Sequence, residues 1–188
     1  MKKLLNIIFY IVPFFSLIVI FNPEVYIYFW KTAFYLLIMI MFSRPLKDIF
    51  PKKLSRLRYI IWKRKELWII IWVFAITHFI GYLLNSWSSI SLILNPDIWN
   101  FGSYLAWWFL ALIISIPLLF TSNKFSMIKL WRNWKRLQYL AYLMFIFVII
   151  HVILIKQEDV VLYMILLCSY VFVLFFSSYI KKKRSKKI

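Results

Sequence analysis

Apolar residues run along this chain in long continuous stretches, separated by short polar breaks and without sustained alternation. Six stretches are long enough to cross a bilayer core, which takes about 20 residues of helix. They lie near 4–22, 25–43, 67–86, 101–120, 137–155 and 160–180. The breaks are Asn22-Pro23-Glu24, the basic stretch 44–66, a Ser/Asn/Pro/Asp-containing loop over 87–100, the stretch 121–136, and Lys156-Gln157-Glu158-Asp159. Barrel strands fit poorly, because they are about ten residues long and alternate. The pattern predicts an all-α integral membrane protein, a single domain over 1–188 folded as a six-helix bundle. Within the first break after the second span, residues 48–62 place Leu54, Leu57 and Ile61 at helical spacing with Lys53 and Arg56 between them. That spacing predicts an amphipathic helix lying on the membrane surface.

The first span is preceded by Lys2 and Lys3, as a signal peptide would be. Ile18, Ile20 and Phe21 stand where a signal protease needs small residues, so the span reads as a retained helix.

Composition sharpens the class. Hydrophobic residues make up 64% of the chain and charged residues 16%, with a mean hydropathy of +0.82. Soluble domains carry about 25% charged residues, and disordered chains need low hydrophobicity; both classes are excluded. The formal net charge of +18 would point to nucleic acid in a soluble protein. Its distribution says otherwise. Lys2 and Lys3, nine residues of 44–66, five of 121–136 and six from Lys181 onward put 22 of the 24 Lys and Arg on one side of a six-span chain. Glu24, Asp97, Glu158 and Asp159 fall on the other side. Short basic loops stay cytoplasmic during insertion. Both termini are therefore expected in the cytoplasm, with the bilayer and its anionic headgroups as partners and no nucleic acid. Tyr26, Tyr28, Trp30, Trp68, Trp87, Trp99, Trp131, Trp134 and Tyr179 cluster near span ends, as interfacial anchors do.

Catalytic signatures are missing. The chain has two glycines and one cysteine, Cys168, and contains no nucleotide-binding glycine loop, CxxC, HExxH or G-x-S-x-G. No internal repeat at a fixed period is evident. No carboxylate lies mid-span, which disfavours a pump or coupled transporter.

The chemistry inside the membrane comes down to His78 and His151, the only histidines. Intramembrane ionisable groups are costly and mark function by default; the competing reading is a hydrogen bond to a neighbouring helix. His78 lies 13 positions beyond Lys65, and His151 lies 15 beyond Arg136. At 1.5 Å per residue these depths are roughly 20 and 22 Å on two spans running in the same direction. Two imidazoles at one level of a helix bundle form a natural axial pair for a b-type haem. Ala75 and Gly81 flank His78 on its own face, where small residues would let a flat porphyrin approach or, equally, let helices pack closely. Zinc needs three or four ligands, and no Cys, Asp or Glu falls near that depth.

Four stretches resemble the ferric-reductase-like transmembrane family, most closely its small bacterial branch of haem-binding membrane subunits, the MsrQ (YedZ) type. Lys31-Thr32-Ala33 through Ser43-Arg44-Pro45-Leu46 is similar to the family's second span. Arg64-Lys65-Glu66-Leu67, leading to Ala75-Ile76-Thr77-His78 and Tyr82, resembles its first histidine helix. Leu119-Phe120-Thr121-Ser122 resembles its L-T-S motif. Trp134-Lys135-Arg136-Leu137-Gln138 through Tyr142 to His151 resembles its second histidine helix. The likeness covers roughly residues 30–155.

The resemblance implies an electron-transfer subunit of an oxidoreductase, rather than a complete enzyme, in a bacterial inner or plasma membrane. It implies haem b on His78 and His151, a cytoplasmic flavin reductase or membrane quinol as donor, and FMN or quinone as a further cofactor. The acceptor would lie outside, as a methionine sulfoxide reductase-like partner does. Where the family carries a second histidine, this chain has Gln138. Glutamine is not a usual haem ligand, so one haem is expected. The resemblance also gives Lys31 a role as partner of a haem propionate, beside the plainer reading that it snorkels outward. Arg64, Lys65, Lys135 and Arg136, at the inner ends of the histidine helices, read either as anchors or as a docking site for a flavin phosphate or acidic partner. The rival from another class is a haem-free membrane scaffold or assembly subunit in which both histidines only pack.

Overall fold

The computed structural model describes residues 18, 22–54, 57–85, 95–121 and 124–185. The expected span at 4–22 therefore lies, apart from Ile18 and Asn22, outside the described residues. Those residues are helical, with no strand among them. In chain order the helices are α1 (Tyr26–Ile49), α2 (Leu57–Trp62), α3 (Arg64–Asn85), α4 (Tyr104–Thr121), α5 (Lys124–Gln138), α6 (Leu140–Ile155) and α7 (Val160–Ser185). Five segments are long and apolar enough to cross a membrane: α1, α3, α4, α6 together with the last turn of α5, and α7. This is a multi-pass membrane protein.

The spans differ from expectation at their basic ends. α1 does not stop near residue 43 but continues through Pro45 to Ile49. Pro45 is buried, and its ring removes one backbone donor without ending the helix. The stop comes at Phe50, whose backbone (φ −119°, ψ 64°) is non-helical, in keeping with the bias against helix at a residue preceding a proline, here Pro51. The amphipathic helix expected over 48–62 is consequently divided. Residues 51–54 form a turn, and the helix proper runs only from Leu57 to Trp62. The polar stretch 121–136 is mostly helical, as α5, with a break at Trp131.

Packing is closest between α1 and α3 and between α4 and α6. α3 and α4, although consecutive, touch only lightly, and α7 lies along α1 with a smaller contact to α6. The bundle is thus two antiparallel helix pairs with α7 laid across them. Lipid tails are as apolar as leucine, so close packing rather than transfer from water must hold the pairs together. Small residues supply it: Ala33, Ser43, Ala106, Ala111, Ser115 and Ala141 are all buried. Several hydroxyls within the spans are satisfied by carbonyls of their own helices, as the bilayer favours. Ser43 Oγ donates to Ile40 O at 2.8 Å, Thr77 Oγ1 to Val73 O at 2.8 Å, and Ser115 Oγ to Leu112 O at 2.6 Å. Of the residues of α7 only Tyr170 and Ser177 are buried, so most of this helix faces outward from the bundle. The first residues of α1, α4 and α7 lie at one end of the bundle, near the histidines. The Lys- and Arg-rich ends lie at the other.

Candidate functional site

His78 and His151 line one cleft. α3 brings the first and α6 the second, and the cleft between them has a free volume of about 80 Å³, below the roughly 300–1,000 Å³ of small-molecule sites, so a ligand as large as a porphyrin enters only if the helices move apart. Its other walls are apolar: Trp30, Ala33 and Phe34 from α1, Ala75 from α3, Trp108 from α4 and Val148 from α6. A second apolar cleft, of about 70 Å³, adjoins it toward the basic end and shares Leu37, Ile71, Ala75, Trp108 and Val148 with it.

Each imidazole is held in the same way. His78 Nδ1 lies 3.3 Å from Tyr26 O, and His151 Nδ1 lies 2.7 Å from Tyr104 O. A carbonyl oxygen only accepts, so both rings carry their proton on Nδ1 and keep the lone pair on Nε2. This is the tautomer of an Nε2 metal ligand, with the other ring nitrogen tied to a backbone carbonyl. Tyr26 and Tyr104 are the first residues of α1 and α4, so each helix pair presents the opening carbonyl of one helix to the histidine of the other. Tyr26 also stacks on His78 (ring centroids 5.3 Å apart, 26° between planes). The hydroxyls of Tyr82 and Tyr104 are 3.1 Å apart and link the two pairs across the lightly packed seam.

The arrangement exposes an internal correspondence that periodicity does not show. Tyr-x-x-x-Trp-x-x-Ala occurs twice, as Tyr26-Trp30-Ala33 and as Tyr104-Trp108-Ala111. Both tryptophans line the histidine cleft; Ala33 lines it too, and Ala111 lines the adjoining one. The tyrosines are 78 positions apart and the histidines 73, so the two halves share no single period. Sequence reading missed Tyr26, Tyr104, Trp30 and Trp108 as site residues, and this doubled motif was the available signal.

The other expected site residues are placed differently. Ala75 lines the cleft, whereas Gly81, buried on the same helix, is not among its lining residues. Lys31 is exposed and lines a separate outer pocket with Glu24, Tyr26 and Asn85. Gln138 and Arg64 come together, but around a different cavity at the basic end.

The donor set discriminates between bound groups. Among the described residues there is no cluster of three or more His, Cys, Asp or Glu able to hold a metal ion by side chains alone. Two imidazoles suffice only for a group that brings its own remaining ligands, as a porphyrin does. Apolar walls and two Nε2 lone pairs fit haem b in that respect. Set against known proteins, the chain matches no protein-family model, no curated protein and no solved structure.

Proposed function

We propose that this protein is a membrane electron-transfer protein that holds one b-type haem between His78 and His151. The observation that carries this reading is the shared tautomer: on two histidines that line one apolar cleft, both Nδ1 atoms are spent on backbone carbonyls, which leaves each Nε2 its lone pair. Bound there, a haem would supply one-electron redox chemistry. The chain's own contribution is ligation, orientation and exclusion of water. Tyr26 O and Tyr104 O fix the ring orientations, Tyr26 braces His78 by stacking, and Trp30, Phe34 and Trp108 provide a low-dielectric wall that tunes potential.

In this reading the chain belongs to the ferric-reductase-like, MsrQ-like class and spans a bacterial inner membrane six times with both termini cytoplasmic. A cytoplasmic flavin reductase or membrane quinol would be the donor, and a methionine sulfoxide reductase-like protein outside the acceptor. The uneven placement of Lys and Arg supports the orientation, and the likeness of residues 30–155 supports the class. Lys31, exposed on an outer pocket, is available to a propionate or to the acceptor.

The competing reading, a haem-free scaffold, draws on the same hydrogen bonds, since each imidazole already has a partner. An absorption spectrum separates the two. Protein purified from haem-replete cells should show a Soret band that shifts on reduction and is lost in His78→Ala and in His151→Ala. A colourless preparation would sink the haem assignment and leave the scaffold.

A further inference from the structure

The basic end of the bundle contains a cavity of about 310 Å³, bounded by α1, α3, α7 and the junction of α5 with α6. Its walls bring Arg44, Arg64 and Lys181 together with Gln138 and a single carboxylate, Asp48. The charges do not cancel. Asp48 Oδ2 is 2.6 Å from Lys181 Nζ and accepts a 3.4 Å hydrogen bond from Ser177 Oγ, so it is already engaged. Neither arginine forms an ion pair with a described residue. Two guanidiniums facing one partly buried space repel each other, and the single carboxylate on the walls leaves the site two positive charges in excess.

The hydrogen-bonding inventory is also one-sided. Arg64 Nε and Gln138 Nε2 are buried without a hydrogen-bond partner. Both atoms are donors only, and leaving buried donors unmade is costly enough that native proteins rarely do so. The cavity is therefore short of negative charge and short of acceptor oxygens. Arg64 lies 14 positions before His78, and Gln138 lies 13 before His151. Arg64 at the start of α3 and Gln138 at the end of α5, where it joins α6, thus share one cavity about 20 Å from the histidines along their spans. Neither member of that pair has a lone-pair nitrogen to give a metal, and both have N–H groups to give an oxyanion.

We propose that this cavity binds a phosphate ester, its oxygens gripped by the forks of Arg44 and Arg64 and by the amide of Gln138. Guanidinium groups match phosphate oxygens two at a time, which a single carboxylate in the same space would leave half used. The site stands whether or not the histidines hold haem. The same chemistry is offered by the headgroup of an anionic phospholipid and by a soluble phosphate ester.

The test uses the full chain in non-ionic detergent, with thermal unfolding followed as ligand is added. The probes are inorganic phosphate and dihexanoyl phosphatidylglycerol, with dihexanoyl phosphatidylcholine as the zwitterionic control. Saturable stabilisation by an anionic probe is expected. Arg44→Gln and Arg64→Gln should each weaken it about ten-fold or more, and Lys129→Gln, outside the cavity, should leave it unchanged. Asp48→Asn should strengthen binding several-fold, because it removes a repelling neighbour and releases Lys181. A lipid that binds more than ten-fold tighter than phosphate identifies the headgroup as the source; comparable affinities identify a soluble ester. The proposal is overturned by the absence of saturable binding, by an equal response to phosphatidylcholine, or by unchanged affinity in both arginine variants. Arg44 is exposed, so its variant carries the test if Arg64→Gln does not fold.

Discussion

At each histidine the deciding contact is with main chain rather than side chain. Tyr104 O is 2.7 Å from a ring that is only 8% exposed, and Tyr26 O performs the same service for His78. Substituting either tyrosine by Phe would keep the carbonyl and hence the tautomer. The hydroxyl link is a separate matter. Tyr82→Phe removes the 3.1 Å bond to Tyr104 and should cost about 1 kcal/mol of stability, read as a lowered midpoint in detergent unfolding, while the absorption spectrum stays that of the parent. The depth of the histidines was legible beforehand, because helical rise converts sequence distance into height. Their partners were not. Every residue has a carbonyl, so nothing in the identity of residue 26 or 104 announces that its oxygen faces an imidazole. Gly81 misled for a related reason: three positions along a helix place a residue near a face, yet which neighbour covers that face depends on how the helices pack.

Among the elements, α5 departs most from its sequence description. Its break at Trp131 has φ 45° and ψ −115°, close to the first central position of a type II′ turn, where glycine is the usual occupant. A tryptophan there, 75% exposed, bears the steric penalty of positive φ. Phe125 and Ile128 are exposed on the same helix, so Trp131 sits with them as an interfacial anchor rather than as part of the core. Comparing Trp131→Gly with Trp131→Ala isolates the backbone contribution, since both lose the ring. The glycine variant should be the more stable by about 1 kcal/mol in chemical or thermal unfolding; equal stability would mean that the positive φ is not maintained. The long apolar runs made the spans readable, whereas their ends were set by local chemistry. α1 runs on through Pro45 with Arg44 still helical and ends at Phe50, the residue before Pro51, whose ring disfavours helical backbone there.

For the molecule as a whole, charge and hydrophobicity describe one object from two sides. The apolar runs give the spans, and the basic residues gather at one end of every described span. A reporter active only in the cytoplasm, fused after Ile188, should therefore be active; one fused within the turn Gln157–Asp159 should be silent. The converse pattern would reverse the orientation and, with it, the side on which an acceptor meets the histidine end. The pairing of helices was not readable from the chain, because identical apolar compositions on all faces give no preferred neighbour. What selects neighbours is the distribution of small residues such as Ala33, Ala111 and Ala141, whose effect is felt only once two backbones approach.

The position of α7 bears on how such a bundle is made. It emerges after every other described helix, yet it packs chiefly on α1, the first of the described spans. Its basic end is fastened there by Lys181 to Asp48 and by Arg184 Nη1, which donates to Asp48 O at 3.1 Å. The seam between α3 and α4 is held without it, by the Tyr82–Tyr104 hydroxyl link and by Phe79, which stacks on Trp108 at 4.5 Å and meets Phe109 edge-on at 5.6 Å. Cutting the carboxylate fastening, as in Asp48→Ala, therefore loosens the basic end of α7 from α1 while leaving untouched the histidine cleft, none of whose lining residues comes from α7.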